Sequence, residues 1–165
     1  ILPPRPPELG EIDATKRAAF LEQWSSPGRR GAAAWRSAEL PAANTHATAA
    51  GLVTLTEAYA REGVIAGEER VDPDAIAAAM MQRACGPDRV LPFDLAFGAG
   101  VMINRESGAF GPEPRTVGHY GFGGSCAFAD PVREIAGAYT PNRLMDVLVG
   151  DARAIALIEA AYAAL

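Results

Sequence analysis

The sequence predicts an α+β fold in which an antiparallel sheet carries helices on its flanks. Apolar residues recur at helical spacing through the first half of the chain, and this spacing returns at its end. Between them lie short apolar runs separated by turn signals. Strands that follow one another without intervening helices pair antiparallel, because a parallel connection needs a long crossover. At 165 residues the chain is long enough for one domain with its own core.

The chain opens with a segment that we expect to be a connector. Residues 1–12 are Pro-rich, and proline neither continues a helix nor donates to a sheet. Asp13 can cap a short helix that runs to about Trp24. Residues from Ser25 to Gly31 are then predicted to form a loop.

Two further helices are marked by their end signals. The first has its apolar residues at helical spacing, with Thr45 or Thr48 as the cap and Gly63 as the stop. The second starts at Asp72-Pro73, where a capping residue precedes a proline in the first helical position. We expect it to end by Gly86.

The second half of the chain is predicted to form strands followed by one helix. The runs are short, mostly apolar and contain glycine, which predicts an antiparallel meander. They cover Phe93–Asn104, Thr116–Tyr120, Gly124–Ala129 and Ile135–Tyr139. The terminal helix spans about Asp151–Leu165, and its predicted buried residues are Ile155, Ile158, Tyr162 and Leu165.

Composition excludes several function classes. The net charge is −5 and no basic stripe exists, which argues against a nucleic acid or an anionic membrane as partner. No apolar stretch is long enough to cross a bilayer. Two cysteines, expected to be buried thiols, and two histidines without metal-ligand spacing predict neither a zinc site nor another cofactor. The chain starts at Ile1 rather than Met, so we expect a preceding segment; the compartment is left open, with the cytoplasm favoured.

The segment Gly118–Pro131 (GHYGFGGSCAFADP) is the most informative for chemistry, and it admits three interpretations. A phosphate-binding loop needs Lys-Ser/Thr and then a helix after its glycines, but no lysine is present and a strand is predicted. A nucleophile elbow would use Ser125. That motif requires a strand–turn–helix and a histidine later in the chain, whereas both histidines precede Ser125.

The third interpretation is a strand edge that lines an acyl-transfer site. A glycine-rich strand lets a carbonyl substrate approach the backbone, whose N–H groups can bind a developing oxyanion. His119 lies two residues before Gly121, on the same face of the strand, where it can hydrogen-bond or exchange protons in the same cleft. The alternative without chemistry is a glycine-rich strand pair in which His119 is merely packed.

This segment resembles the third motif of class C-type β-lactamases and of family VIII carboxylesterases, in which Lys-Thr-Gly or His-x-Gly precedes a glycine-rich strand. Further stretches are similar to segments of the same family and occur in the family's order. They are Leu40–Leu52, Phe97–Gly100, Ala127–Pro131, Ala138–Asn142 and the predicted terminal helix. The resemblance implies a β-lactamase/transpeptidase-like fold, of which residues 1–165 would be the C-terminal part.

The resemblance also implies the site residues. His119 occupies the position of the family's Lys or His that faces the acyl pocket, and Phe122 occupies the position whose backbone N–H forms half of the oxyanion hole. These two are the implied catalytic residues. The implied substrate-binding residues are Tyr120, Gly121 and Gly123. A His in place of Lys resembles the esterase branch, because a Lys cation suits a β-lactam carboxylate, whereas a neutral ester does not require it.

The family's nucleophile and base motifs are both missing from the chain. Lys16 is the only lysine and Asp13 stands three residues before it, so Ser-x-x-Lys is excluded. No tyrosine is followed two residues later by asparagine, so Tyr-x-Asn is excluded as well. Serine acylation needs an activated nucleophile beside its base. We therefore expect the N-terminal half of the domain, on the same or a separate chain, to supply both.

Two function hypotheses follow. The preferred one is a serine hydrolase, a carboxylesterase or β-lactamase-like enzyme, which acts on a small-molecule ester or amide through an acyl-enzyme. This chain would supply the His-x-Gly wall and the oxyanion donor, and would be inactive alone. The alternative is a non-catalytic module of the same fold that binds a small ligand or a protein partner.

Overall fold

The computed structural model describes residues 10–22, 32–41, 43–105 and 108–165. Its helices are α1 (Ala14–Phe20), α2 (Ala33–Ser37), α3 (Ala49–Ala60), α4 (Pro73–Met80) and α5 (Ala152–Ala163). Its strands are β1 (Val64–Ile65), β2 (Glu68–Glu69), β3 (Ala84–Pro87), β4 (Asp94–Phe97), β5 (Met102–Ile103), β6 (Val117–Tyr120), β7 (Cys126–Asp130) and β8 (Ile135–Tyr139).

The main sheet is an antiparallel meander. Strands β3 to β8 lie side by side in chain order, and each pairs antiparallel with its sequence neighbour. The strands β1 and β2 form a separate hairpin. The predicted α+β class with an antiparallel sheet and flanking helices is therefore confirmed. None of the helices in the described ranges has the length and apolar character needed to span a bilayer.

The predicted helix starts are confirmed by their capping hydrogen bonds. The Lys16 N–H donates to Oδ1 of Asp13 at 2.8 Å, so α1 begins after the predicted cap. Thr48, rather than Thr45, caps α3 by accepting from the Gly51 N–H at 3.1 Å. Asp72 caps α4, and Pro73 follows in the first helical position. Each signal is local, because the capping side chain and the amide it accepts from are two or three residues apart.

Gly63 ends α3 as predicted. Its φ is +94°, and its N–H donates to the Ala58 carbonyl at 2.7 Å. A Cβ at this position would overlap the carbonyl of Val71. Only glycine satisfies both the positive φ and the close approach of the returning chain.

The sheet has a separate hydrophobic core on each face. On the α5 face, Ala154 and Ile158 of α5 pack with apolar side chains of the strands; the sheet members of this core are Leu95, Met102, Tyr120, Cys126 and Phe128. On the α3 face, Ala60 of α3 packs with a second set, namely Ala96, Ile103, Val117 and Ala129. The alternation of side chains along each strand divides the residues between the two cores.

One strand prediction was wrong in detail, and one strand of the main sheet was not predicted. Phe93–Asn104, predicted as one strand, is a hairpin of β4 and β5 with Gly98 and Gly100 in its turn. The Gly98 N–H donates to the Val101 carbonyl at 2.8 Å, which turns the chain back. The strand β3 was not predicted, because its sequence Ala-Cys-Gly-Pro lacks alternation and contains two residues that disfavour strands.

The ends of the predicted elements also differ. The helix α1 stops at Phe20, and the predicted extension to Trp24 enters residues outside the described ranges, as do residues 1–9 of the connector. Leu165, predicted to be buried, is 77% exposed because α5 ends at Ala163. Of the two cysteines expected to be buried, Cys126 is buried and Cys85 is exposed.

Candidate functional site

The glycine-rich segment forms the hairpin between β6 and β7. His119 lies opposite Ala127, and Tyr120 lies opposite Cys126. The turn is closed by the Gly124 N–H, which donates to the Gly121 carbonyl at 3.1 Å. A strand follows the turn, so the nucleophile-elbow and phosphate-loop interpretations, which both require a helix there, are wrong.

The opposite edge of β6 loses its partner strand partway along. The strand β5 pairs with β6 only through Ile103 with Val117 and Met102 with Gly118. Within the described ranges no strand pairs with His119 or Tyr120 on that edge. The backbone of β6 is therefore open on one side where the His-x-Gly sequence begins.

His119 presents its imidazole on the exposed surface. Its Nδ1 lies 2.7 Å from the carbonyl oxygen of Tyr120, and a carbonyl only accepts, so Nδ1 carries the proton in this contact. In the neutral ring, Nε2 is then the atom with a lone pair. The ring centroid lies 6.2 Å from that of Phe97. An exposed imidazole with a fixed tautomer can accept a proton at Nε2.

Tyr120 packs in the core on the α5 face. Its ring stacks on Phe110 with centroids 5.1 Å apart, and its hydroxyl donates to the Ala109 carbonyl at 2.7 Å. Burial raises the pKa of the Tyr120 hydroxyl, with the nearby Cys126 thiol adding to the shift. Its side chain is buried and cannot contact a substrate. The prediction that Tyr120 binds substrate can therefore apply only to the backbone of this residue.

Gly121 lies against a side chain that the sequence did not reveal. A Cβ at Gly121 would overlap Oγ of Ser125, the residue whose carbonyl accepts the Gly121 N–H at 2.7 Å. The half-buried Phe122 follows it in the turn. Gly123 has a φ of +100°, and a Cβ there would lie 2.8 Å from Cδ2 of Leu144. The turn therefore packs closely against the side chains of Ser125 and Leu144.

Sequence reasoning missed a buried carboxylate beside this turn. Asp151 is 2% exposed and caps α5 by accepting from the Arg153 N–H at 2.8 Å. Its carboxylate also pairs with the Arg153 guanidinium, through Nε to Oδ1 at 3.0 Å and Nη2 to Oδ2 at 2.6 Å. These hydrogen bonds hold the pKa of Asp151 below its usual value, although burial opposes the shift. The signal that could have indicated it is Asp-x-Arg at a predicted helix start.

A separate cleft of about 590 Å³ lies where β3, β4 and the beginning of α5 meet. Its lining includes Cys85, Phe93, Leu95, Val149 and Ile155, and none of residues 119–123. The site residues predicted from the sequence thus line a strand edge rather than this cleft.

Comparison with known proteins decides the family. The Beta-lactamase family model matches residues 5–161.

The chain belongs to the β-lactamase family.

Two solved structures extend this result. One is a penicillin-binding protein homologue from Caulobacter crescentus, which is 46% identical over 100% of this chain, with a TM-score of 0.90. The other is a family VIII carboxylesterase, 32% identical over 81% of this chain, with a TM-score of 0.76. A search of curated proteins found no match. This member of the β-lactamase family spans 44% and 36% of the length of those two chains, less than half of each.

The family assignment confirms the resemblance stated from the sequence. It gives the chain the β-lactamase/penicillin-binding-protein-like fold and places it in a family of serine hydrolases. One neighbour is a penicillin-binding protein homologue, and the other is a family VIII carboxylesterase, the branch that the His in the His-x-Gly motif resembles.

Proposed function

We propose that this chain is the C-terminal half of an esterase-type serine hydrolase that acts through an acyl-enzyme. It supplies one wall of the site, with His119 as the proton-exchanging group and the Phe122 amide as an oxyanion donor. The observation that carries the proposal is the exposed His119 imidazole on β6, at the point where β5 ends and the strand edge opens.

The direction of the backbone amides supports the oxyanion role. In an antiparallel strand, N–H groups of successive residues point to opposite edges. The Gly121 N–H points toward β7, where it donates to Ser125. Phe122 lies in the turn past the end of β6, and we propose that its amide continues the strand pattern and points toward the opposite edge, where a substrate carbonyl would approach. A donor fixed there stabilises negative charge on the carbonyl oxygen of a tetrahedral intermediate.

The environment of His119 favours an ester over a β-lactam. Nδ1 is held by the Tyr120 carbonyl, so Nε2 is left to exchange a proton with the leaving group or nucleophile. In the described part of the chain the one lysine, Lys16, lies in α1 and is distant in sequence from β6. A neutral ester needs no cation in this position, which agrees with a His in the motif.

The nucleophile must come from outside this sequence. Neither Ser-x-x-Lys nor Tyr-x-Asn occurs in residues 1–165. The two structural relatives are more than twice as long as this chain. We propose that the N-terminal half of the same domain, on the same or a separate polypeptide, carries both motifs and completes the cleft.

Reconstitution tests this function. The 165-residue chain, a partner half carrying Ser-x-x-Lys and Tyr-x-Asn, and their mixture would each be assayed on a short p-nitrophenyl ester. The partner would be the corresponding half of a β-lactamase-family protein whose sequence contains both motifs. We expect turnover from the mixture alone, and none when the partner's motif serine is replaced by alanine.

A serine-directed fluorophosphonate provides the second readout. It should label the partner's serine and no residue of this chain. Turnover by the isolated chain, or labelling at Ser125, would show that the assignment of its chemistry is wrong. A folded mixture that forms a stable complex without hydrolysing any ester would favour a non-catalytic binding module.

A further inference from the structure

We propose that Asp151 and Arg153 act as a positioning pair that holds the glycine-rich turn, residues 121–124, in the geometry the oxyanion donor needs. This inference rests on the proposed function, because it gives the turn a catalytic role. It concerns residues at the start of α5 that belong to neither the His-x-Gly motif nor the missing nucleophile motifs.

The first contact joins Asp151 to the turn itself. Gly124 has a φ of +105°, and a Cβ there would overlap Oδ2 of Asp151. The carboxylate therefore packs directly on the Gly124 backbone. Since Asp151 also caps α5, the turn is fixed relative to the first residues of that helix.

The second set of contacts runs through Arg153. Its Nη1 donates to the Arg143 carbonyl at 2.8 Å, and its guanidinium lies 5.7 Å from the centroid of the Tyr139 ring. Arg153 thereby joins Asp151 to the segment that follows β8. A bidentate, stacked arginine has little freedom to move.

The segment after β8 also contacts the turn directly. The Gly123 N–H donates to the Val147 carbonyl at 2.9 Å, and the Met145 N–H donates to the Gly123 carbonyl at 3.0 Å. The side chain of Leu144 covers the position where Gly123 lacks a Cβ. Asp151 and residues 144–147 thus both contact the turn, and Arg153 connects Asp151 to the segment that contains those residues.

Capping alone does not explain this arrangement. Asp72 caps α4 with one carboxylate oxygen from an exposed position. Asp151 uses both oxygens, has a side chain that is 3% exposed and is paired with an arginine. Burying a carboxylate is costly unless it is paired and hydrogen-bonded. A helix cap does not require a buried carboxylate, so capping does not explain why the Asp151 charge is buried against Gly124.

A positioning role follows from the geometry of catalysis. An oxyanion donor acts only when it is fixed where charge develops, and a displacement of about 1 Å can cost about 100-fold in rate. Asp151→Asn keeps an oxygen for the cap but replaces the other with an amide that cannot accept from Nη2. Arg153→Lys keeps the charge but loses the bidentate contact.

Amide hydrogen exchange in the isolated chain tests whether the pair holds the turn. We expect Asp151→Asn and Arg153→Lys to accelerate exchange at Gly123 and Met145 by about 10-fold or more relative to the amides of β7. The matched control is Asp130→Asn, which removes a buried carboxylate paired with Arg133 at the opposite end of β7. It should destabilise the chain without this selective change. Unchanged relative exchange at both amides in both variants would overturn the inference.

Kinetics of the reconstituted enzyme test whether the turn matters for catalysis. We expect both variants to lower kcat by about 10- to 100-fold with KM within about threefold of the wild type, as a displaced oxyanion donor predicts. Accelerated exchange with unchanged kcat would overturn the catalytic role. If the wild-type mixture never turns over, the proposed function fails and the catalytic role fails with it, while the exchange result still decides whether the pair holds the turn.

Discussion

His119 and Tyr120 are consecutive residues of β6 whose side chains lie on opposite faces of the sheet. The His119 imidazole is exposed, whereas Tyr120 is 4% exposed and stacks on Phe110 in the core. Successive side chains of a β-strand point to opposite faces of the sheet, and this alternation alone produces the arrangement. Tyr120 fixes the strand in the core, and the fixed strand sets the position of His119 at the surface.

Replacing His119 with alanine should separate chemistry from packing. In the reconstituted enzyme, His119→Ala should lower ester hydrolysis by about 10²- to 10⁴-fold, the usual range for a positioned proton-transfer group. Because the imidazole is exposed, the melting temperature should change little. Activity and thermal unfolding would be measured on the same sample.

His46→Ala is the matched control for this substitution. His46 is the other histidine of the chain, and its ring contacts Trp35 edge-on at a centroid distance of 5.3 Å. It should leave specific activity unchanged. If His119→Ala lowered the melting temperature and kept specific activity in the folded fraction, His119 would be a packing residue.

A second prediction concerns Gly121. Gly121→Val should abolish acyl transfer. Phe122→Leu, which keeps the backbone amide, should lower the rate of acyl transfer much less. Part of the effect at Gly121 arises from the overlap with Oγ of Ser125. The double variant Gly121→Ala/Ser125→Ala removes that overlap, since Cβ of Ser125 would lie 3.8 Å from the new Cβ.

Comparison of Gly121→Ala alone with the double variant then assigns the cause. If a side chain at residue 121 blocks the substrate, the double variant should fold with wild-type stability and remain impaired in hydrolysis. Full recovery of hydrolysis in the double variant would mean that the glycine serves only the contact with Ser125. Thermal unfolding and initial rates on a p-nitrophenyl ester distinguish these results.

Acid should weaken the fold through Asp130. Burial alone would raise the pKa of this carboxyl, but hydrogen bonds from Tyr162, Val132 and Arg133 outweigh it and lower the pKa. A depressed folded-state pKa gives stability that is present above the unfolded value of about 3.9 and is lost as pH falls through the folded value. Asp130→Asn should cost about 1.5 to 3 kcal/mol in the free energy of unfolding near pH 7.

The pH profile tests this cause. The difference in free energy of unfolding between wild type and Asp130→Asn should shrink as pH falls below about 4. Asp146→Asn, at an exposed carboxylate, provides the control and should follow the wild-type curve. A difference that stayed constant down to acid unfolding would show that ionisation of Asp130 contributes nothing.

The two thiols should differ in reactivity. Cys85 is exposed, whereas burial raises the pKa of Cys126 to about 11, and the thiolate is the reactive form. At pH 8 a disulfide reagent such as dithionitrobenzoate should titrate one thiol quickly, and the second only after unfolding. Cys85→Ser should abolish the fast phase. Rapid reaction of two thiols in the native chain would contradict the burial of Cys126.

Local signals explain the parts of the fold that could be predicted. Asp13, Thr48 and Asp72 each cap a helix through an amide at most three residues away, so the sequence alone contains the interaction. The strand β8 coincides with the predicted Ile135–Tyr139. The hairpin of β4 and β5 was missed because an apolar run through Gly98 and Gly100 has the composition of a single strand.

Only the part of the candidate site that lies within the motif could be predicted from the sequence. The His-x-Gly resemblance indicated His119, Gly121 and Phe122, and strand alternation separated His119 from Tyr120 once the strand was known. The contact of Asp151 with Gly124 joins residues that are 27 positions apart in the chain and depends on how α5 packs. No local pattern contains such a contact, because it exists only after the sheet and helix have come together.

The meander order of the main sheet has a consequence for how the chain folds. Every pairing from β3 to β8 joins strands that are consecutive in sequence, so each closes a loop of at most 13 residues and the cost in chain entropy stays small. Sheets of low contact order fold quickly and need no distant segment to nucleate them. The six strands can therefore pair in chain order during synthesis, each with a neighbour that is already present, without waiting for contacts to the half that we propose completes the domain.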